Sequence, residues 1–191
     1  RDTDRSRGLG DVYKRQLYDY EAGYGFGNSR FHVGANLYFM DYSNQLILTG
    51  KISEIGEALT SNIKDSYRMG IELTGGVKIA RWLDWSGNLT LSRNKIKNFT
   101  ESIEVYDADW NFLREDHNDL GTTDIAFSPD IIANSMFNFN WKQFSASFNS
   151  QFVGRQYIDN TSCKDRSIDP YFVSNPVSYT HLRAHETDQY L

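Results

Sequence analysis

The sequence predicts an all-β fold: an antiparallel up-and-down meander that forms a partial arc of a large transmembrane β-barrel. Apolar and polar residues alternate with a period of two through segments longer than the ~5–6 residues of a common strand. Tight turns and long connections follow each other along the chain, as in barrels with short turns on one side and long loops on the other. Aromatic residues collect beside the tight turns, where a membrane barrel carries an aromatic girdle.

The longest alternating segment is 66–99, which predicts a hairpin with a short connection at 81–84. A helix would need apolar residues three and four positions apart, and the segment lacks that spacing. One face of the hairpin carries Arg68, Glu72 and Lys78, which we expect to face the barrel lumen. There they line the channel, pair with a plug, or pair with neighbours that pack the barrel wall. The last is favoured, because lumen charges need partners where water is sparse. The large apolar residues of the opposite face are Tyr67, Met69, Ile71, Leu73, Val77, Ile79, Trp85, Leu89 and Leu91.

Two more hairpins follow the same pattern. The first joins 17–26 to 30–42 through turn residues at 27–29, and the second joins 124–141 to 144–152 through Lys142 and Gln143. Long links at 43–65, 98–123 and 155–169 separate the hairpins, and 171–175 begins another strand. The aromatic residues beside the tight turns, which we predict to form one interfacial girdle, are Phe26, Phe31, Trp82, Trp85, Trp141 and Phe144.

The DNA that encodes one end of the chain, read on its complementary strand, can encode the other end. One permitted codon set for 7–16 (RGLGDVYKRQ), read on the opposite DNA strand, gives the stretch VSYTHLRAH that begins at Val177. Unrelated protein segments are not expected to do this, and the DNA resembles a transposon-end adapter used for sequencing libraries. We therefore expect 1–16 and 176–191 to be adapter-derived and to pack on nothing, and 17–175 to be an internal fragment of the native protein.

Composition excludes several classes of protein. The net charge is −5, and the chain stays acidic when both ends are left out. It therefore lacks the cluster of basic residues that nucleic-acid binding requires. A single cysteine, Cys163, excludes an internal disulfide and a cysteine metal cluster. The sequence shows no Ser/His/Asp set, no phosphate-binding loop and no paired carboxylates on a defined scaffold, so we expect neither enzymatic activity nor a cofactor.

The acidic and aromatic loop 101–119, within the link 98–123, is the best candidate for ligand contact. Its Tyr106, Trp110 and Phe112 suit stacking on a catechol, corrin or sugar ring, and its Arg114 suits an anionic group. The alternative is a solvated loop whose acids face water. We predict no metal site, because the acids and the histidine of this link do not have the spacing of an EF-hand calcium loop.

A second hypothesis is a soluble or cell-surface β-sheet module that binds glycans. It predicts a second sheet packed against the apolar face, because a soluble sheet has to bury that face. A barrel predicts instead that the apolar face is bare and meets the lipid of the outer membrane.

Several stretches resemble the C-terminal barrel region of TonB-dependent outer-membrane receptors, most closely those of Bacteroidetes-type bacteria. They are 36–50 (NLYFMDYSNQLILTG), 66–75 (SYRMGIELTG), 85–100 (WSGNLTLSRNKIKNFT), 121–129 (GTTDIAFSP) and 152–172 (FVGRQYIDNTSCKDRSIDPYF). The resemblance implies active uptake of a scarce ligand at the outer membrane: a ferric siderophore first, or else vitamin B12 or a glycan. It also implies TonB as a partner, acting through an N-terminal plug region that is expected to lie outside 17–175.

Overall fold

The computed structural model describes residues 15–52 and 57–180. Its strands are β1 (Gln16–Gly27), β2 (Phe31–Ile52), β3 (Ala58–Ala80), β4 (Leu83–Tyr106), β5 (Phe112–Asp124), β6 (Ile131–Trp141), β7 (Phe144–Val153), β8 (Gln156–Tyr157), β9 (Ser167–Ile168) and β10 (Tyr171–Thr180). A 3-10 helix spans Lys164–Arg166. Across these residues no helix has the length and hydropathy of a membrane span.

The main sheet runs in the order β1, β2, β3, β4, β6, β7, β10, and every neighbouring pair is antiparallel. β4 is long enough to have two partners on its second edge: its first part, 83–91, pairs with β6, and its later part, 95–106, pairs with β5. β8 and β9 form a separate two-stranded ladder. The predicted antiparallel meander is confirmed.

The register places the alternating residues on the two faces that the sequence predicts. Leu37, Ile71 and Leu91 lie in one row on the apolar face, and Asn36, Glu72 and Thr90 lie in the neighbouring row on the polar face. The apolar face is bare, since Leu37 is 56% exposed and Phe148 is 44% exposed. Within residues 15–52 and 57–180, the second sheet required by the glycan-module hypothesis is not present, because the other ladder is only β8 with β9.

The predicted tight turns are confirmed. Oδ1 of Asn28 accepts a hydrogen bond from the Arg30 N–H at 2.8 Å, an arrangement that asparagine favours in turns. Ala80 lies opposite Leu83, which leaves a two-residue connection between β3 and β4. Lys142 has a φ of 54° in the equally short turn between β6 and β7.

Two of the three predicted long loops are wrong. Most of 43–65 belongs to β2 and β3, and most of 98–123 belongs to β4 and β5. The sequence signal fails there because a strand pair with polar residues on both faces shows no alternation, although its backbone ladder is intact. Similarly, β6 begins at Ile131 rather than at 124, because 125–130 leaves the sheet and Phe127 has a φ of 52°.

β10 continues past the predicted end of the native sequence. It pairs with β7 as far as Thr180, with Pro176 opposite Phe148. The prediction that 176–191 packs on nothing is therefore wrong for 176–180. Proline is tolerated here because β10 is an edge strand of the described sheet. The adapter origin of the ends stays a prediction, and 1–14 and 181–191 lie outside the described residues.

The buried apolar cluster lies at the end of the sheet far from the tight turns. Ile47, Ile96 and Ile125 are buried there, and Ile63 and Phe99 pack against them. These side chains come from β2, β3, β4 and the segment after β5. The core thus joins parts of the chain that the sequence assigns to two long links, to the hairpin 66–99 and to a later strand.

Candidate functional site

The β4–β5 hairpin ends in a cluster of three aromatic rings. β4 ends at Tyr106 opposite Phe112, and the two ring centroids lie 6.0 Å apart, edge to face. The Trp110 ring lies 6.3 Å from Tyr106 and is 83% exposed. Edge-to-face and tilted contacts at such distances are favourable, and they leave ring faces open to another ring. The structure therefore brings the three predicted stacking residues together.

The Asp107 carboxylate organises the turn that presents Trp110. It accepts hydrogen bonds from the backbone N–H of Asp109 at 2.9 Å, from the backbone N–H of Asn111 at 2.8 Å and from the Asn111 side chain at 3.0 Å. These donors, the Asn111 side chain first, lower the pKa of Asp107, because they favour its charged form. Trp110 has a φ of 63°, which is uncommon outside glycine, so the turn fixes the backbone beneath the exposed ring.

Two polar contacts lie near the end of the β4–β5 hairpin, one on each of its faces. The Tyr106 hydroxyl donates to Glu104, and this hydrogen bond raises the pKa of Tyr106. Nε of Arg114 donates to Oδ1 of Asp116 at 2.8 Å, which raises the pKa of Arg114. Both partners of this ion pair are well exposed. Exposed ion pairs are weak, so Arg114 is able to exchange Asp116 for an anionic group.

The acids and the histidine of the hairpin do not converge on one point. Among the described residues, no group of three or more His, Cys, Asp and Glu side chains is placed to hold a metal ion. Nδ1 of His117 lies 3.2 Å from Oγ of Ser102 on the neighbouring strand. Asp107 is occupied by the turn itself.

Arg68, Glu72 and Lys78 share the polar face of β3. Nη1 of Arg68 lies 3.5 Å from Oδ1 of Asn94 and 3.3 Å from Oγ of Ser128. In the described part of the chain, none of the three makes an ion pair. Arg68 thus contacts two polar neighbours, and the roles considered from the sequence for these three residues, channel lining or pairing, stay predictions.

Tyr38 is a polar-face residue that the sequence did not single out. Its ring lies over Gly70, where a Cβ would come within 2.7 Å of the Tyr38 hydroxyl oxygen and 2.5 Å of the Leu91 carbonyl oxygen. The His32 ring covers Gly76 in the same way. Glycine in a strand often marks such a close approach, but the partner ring is known only once the register is known.

The sequence from residue 18 to residue 182 matches the family described as TonB dependent receptor-like, beta-barrel. The chain belongs to the TonB-dependent receptor family. The predicted resemblance, the partial barrel and the outer-membrane location are confirmed, while the Bacteroidetes-type detail stays a prediction. The family is one of receptors and not an enzyme class. No curated protein matches the sequence.

Solved structures of similar fold are barrels of such receptors. The ferric yersiniabactin uptake receptor FyuA from Yersinia pestis has a TM-score of 0.60 and 17% identity, over 86% of this chain and 22% of that chain. The ferric-catecholate import receptor Fiu from K12 E. coli has a TM-score of 0.58 and 14% identity, over 88% and 22%. The copper transporter OprC has a TM-score of 0.59 and 13% identity, over 88% and 23%. The receptor segment thus spans less than a quarter of these three relatives.

In the receptor segment, the predicted girdle residues lie beside the tight turns. The rings of Phe26 and Phe31 are 5.8 Å apart, and those of Trp82 and Trp141 are 6.3 Å apart. Phe139, which the sequence did not include, joins the second group at 5.3 Å from Trp82. The remaining girdle residues lie nearby: Phe144 is 5.8 Å from Phe139, and Nε1 of Trp85 donates to Oγ of Ser135 at 2.9 Å.

A second aromatic group, which the sequence did not predict, lies at the other end of the receptor's apolar face. The Phe39 ring is 6.4 Å from Tyr20 and 6.3 Å from Tyr67. Phe31, in the first group, and Asp41, opposite Tyr67, are ten residues apart on β2. Ten residues span ~33 Å along a strand, and a tilt of about 40° reduces this to a height of ~25 Å. This height matches the ~25 Å apolar band between the girdles of outer-membrane barrels.

Proposed function

We propose that this chain is part of a receptor that takes up a ferric siderophore by TonB-coupled transport, and that the aromatic hairpin tip makes the first contact with the ligand. The observation that carries the proposal is the cluster of Tyr106, Trp110 and Phe112, held together at a hairpin tip with Trp110 83% exposed. A bare tryptophan in a fixed turn is costly to leave in water and useful for stacking.

The preference for a siderophore rests on the fold relatives and on the chemistry of the tip. FyuA is described as a ferric yersiniabactin uptake receptor, Fiu as a ferric-catecholate import receptor, and OprC as a copper transporter. Catecholate siderophores combine aromatic rings with negative charge. The ring cluster suits the first property, and Arg114, which pairs with Val105 on the opposite face of the same hairpin, offers a positive charge for the second. Vitamin B12 and glycans are the competing ligands of the test below.

The two faces of the sheet suit two environments. The apolar face between the two aromatic groups is suited to outer-membrane lipid, and the polar face with Arg68, Glu72 and Lys78 is suited to a hydrated lumen. Coupling to TonB would act through a plug region in the part of the receptor outside this chain. The ligand would then pass from the hairpin tip into the lumen and along the polar face.

The test measures ligand affinity of the full-length receptor. Trp110→Ala is expected to weaken binding of a ferric catecholate by roughly two- to tenfold, the worth of one aromatic contact. Leu113→Ala is the matched control, because Leu113 is also exposed, at 57%, in the same hairpin but lies outside the ring cluster. Equal affinities of the two variants would refute the role of the tip. Binding of cobalamin or a glycan in place of the catecholate would refute the siderophore assignment.

A further inference from the structure

The segment 154–170, here named the inner loop, is a compact unit and not an open connection. β8 and β9 pair within it, and the 3-10 turn closes its end. At its base, Nη2 of Arg155 lies 2.7 Å from Oδ1 of Asp169, and Nη1 of Arg155 donates to Ser167 at 2.8 Å. At its tip, Oδ1 of Asp159 accepts the Thr161 N–H at 3.0 Å, the side-chain turn that aspartate favours. These contacts give the loop a shape of its own.

Asn160 fixes the inner loop to two distant parts of the chain. Its Oδ1 accepts the backbone N–H of Ala126 at 2.8 Å, and its Nδ2 donates to the carbonyl oxygen of Leu48 at 2.6 Å. Asn160 is 1% exposed, so both bonds are made away from water. A buried amide that lost these partners would leave polar groups unsatisfied, which is costly. The side chain therefore holds the loop across the ends of β2 and the segment after β5.

The two positions that Asn160 binds, Leu48 and Ala126, directly follow Ile47 and Ile125 of the buried cluster, and through Ile96 this cluster is continuous with the polar face. Ser66 and Ile96 lie opposite each other and are both fully buried, and the neighbouring Asn94 is 5% exposed. Arg68, opposite Asn94, belongs to the same face and reaches Ser128 after β5. The face that bears Arg68 is the one suited to the lumen. The inner loop therefore folds inward over the wall.

Arg166 joins the inner loop to the hairpin that carries the aromatic tip. Its Nη2 lies 3.1 Å from Oε1 of Glu101 on β4, and its Nη1 lies 2.9 Å from Oδ2 of Asp159 inside the loop. The Glu101 and Asp159 side chains are only 19% and 11% exposed. Arg166 itself is 45% exposed, so water partly screens the link, but its two carboxylate partners are largely shielded.

From these contacts we propose that the inner loop is a fixed constriction at the outer mouth of the lumen, and that Asn160 and Arg166 are positioning residues. Asn160 holds the loop against the wall, and Arg166 ties it to the base of the aromatic hairpin. The ligand's route from the hairpin tip then passes the inner loop before it reaches Arg68. This last statement rests on the proposed function, whereas the position of the loop does not.

Cys163, half-buried in the inner loop, is a native reporter of its position. In the full-length receptor in outer-membrane vesicles, labelling of this thiol by a membrane-impermeant maleimide is followed by mass spectrometry of the Cys163 peptide. Asn160→Ala is expected to raise the labelling rate roughly tenfold, because two buried hydrogen bonds are lost. Asn140→Ala, at the opposite end of the sheet, is the matched control.

A second pair of variants tests the link through Arg166 without touching the inner loop. Glu101→Gln on β4 is expected to raise Cys163 labelling severalfold, whereas Glu104→Gln, on the same strand but bound to Tyr106, is expected to leave it unchanged. Equal labelling in Asn160→Ala and Asn140→Ala would overturn the proposal. Equal labelling in the two glutamine variants would overturn the role of Arg166. Because no ligand is used, both results are independent of the siderophore test.

Discussion

Leu37 lies near the middle of the apolar face, and Leu37→Arg tests which face meets lipid. Between Phe31 in one aromatic group and Asp41 at the level of the other, position 37 is close to the midplane of the ~25 Å band. An arginine at the midplane of an outer-membrane barrel costs about 2–4 kcal/mol, which is a roughly 30- to 900-fold change in the folding equilibrium. Phe39→Arg, near the edge of the band, is expected to pay a lower desolvation cost of about 0–1 kcal/mol.

Asn36→Arg is the matched control, because the neighbouring position points to the polar face opposite Glu72. Its expected cost is near zero, since a hydrated lumen accepts the charge. The assay is guanidinium unfolding of the full-length receptor in lipid vesicles, with the midpoint and the slope compared among variants. An unfolding free energy lowered as much by Asn36→Arg as by Leu37→Arg would refute the assignment of faces, because a one-residue slip exchanges the two faces of a strand.

Two further predictions concern close packing and pH. Gly76→Ala is expected to destabilise the receptor by about 1–3 kcal/mol, and His32→Ala should relieve most of that cost in the double variant, since the His32 ring is what a Cβ at Gly76 meets. Gly70→Ala should not be relieved by removing the Tyr38 ring, because the Leu91 carbonyl oxygen remains within 2.5 Å; unfolding midpoints of the single and double variants check both statements. The lowered pKa of Asp107 means that its stabilisation of the turn is present at neutral pH and is lost as the pH falls through that lowered value. Protease nicking of the hairpin tip should therefore rise below pH of about 4, and Asp107→Asn should show the raised nicking at neutral pH as well.

The membrane-spanning part of the fold can be predicted from the sequence, because the paired residues in each row of the sheet are either all apolar or all polar. Leu37, Ile71 and Leu91 are all apolar because their row faces lipid, so the face of each can be assigned before the register is known. The tight turns can be recognised from residues such as Asn28, whose side chain accepts a hydrogen bond within its own turn. The alternation and the turn residues are both local features of the sequence, so they can be recognised from this segment of the receptor alone.

The candidate site follows from sequence only in part. Tyr106, Trp110 and Phe112 stand out as aromatic residues in an acidic stretch, but their meeting depends on a ladder between β4 and β5 that has no alternation to announce it. The inner loop is harder still. Asn160 contacts Leu48, which is 112 residues away in the chain, and a lone asparagine in a polar stretch gives no sign of a contact over such a distance.

The point at which the alternation stops being informative has a physical cause. On β2, even-numbered residues up to Tyr42 lie on the polar face, and Tyr42 is opposite Ser66. Beyond Asn44, odd-numbered residues lie on that face instead. Gln45 accepts a hydrogen bond from Ser66 at 2.6 Å, and Ile47 packs with Ile96. Asn44 has a φ of 57°. A residue in this left-handed region breaks the regular pleat, and asparagine is among the few residues that adopt it readily.

β4 changes in the same way at the same level of the sheet. Ile96 is an even-numbered residue of the polar face, yet odd-numbered Phe99 packs against the same buried cluster, and Asn98 between them has a φ of 53° where the ladder with β5 shifts register. Two asparagines thus redirect two long strands just beyond the apolar band. On the side of the tight turns, the alternation of apolar and polar residues forms the membrane wall. On the other side of the two asparagines, side chains pack into the buried cluster to which Asn160 fixes the inner loop. The inner loop and the aromatic hairpin therefore lie where the strands no longer follow the alternation of the membrane wall.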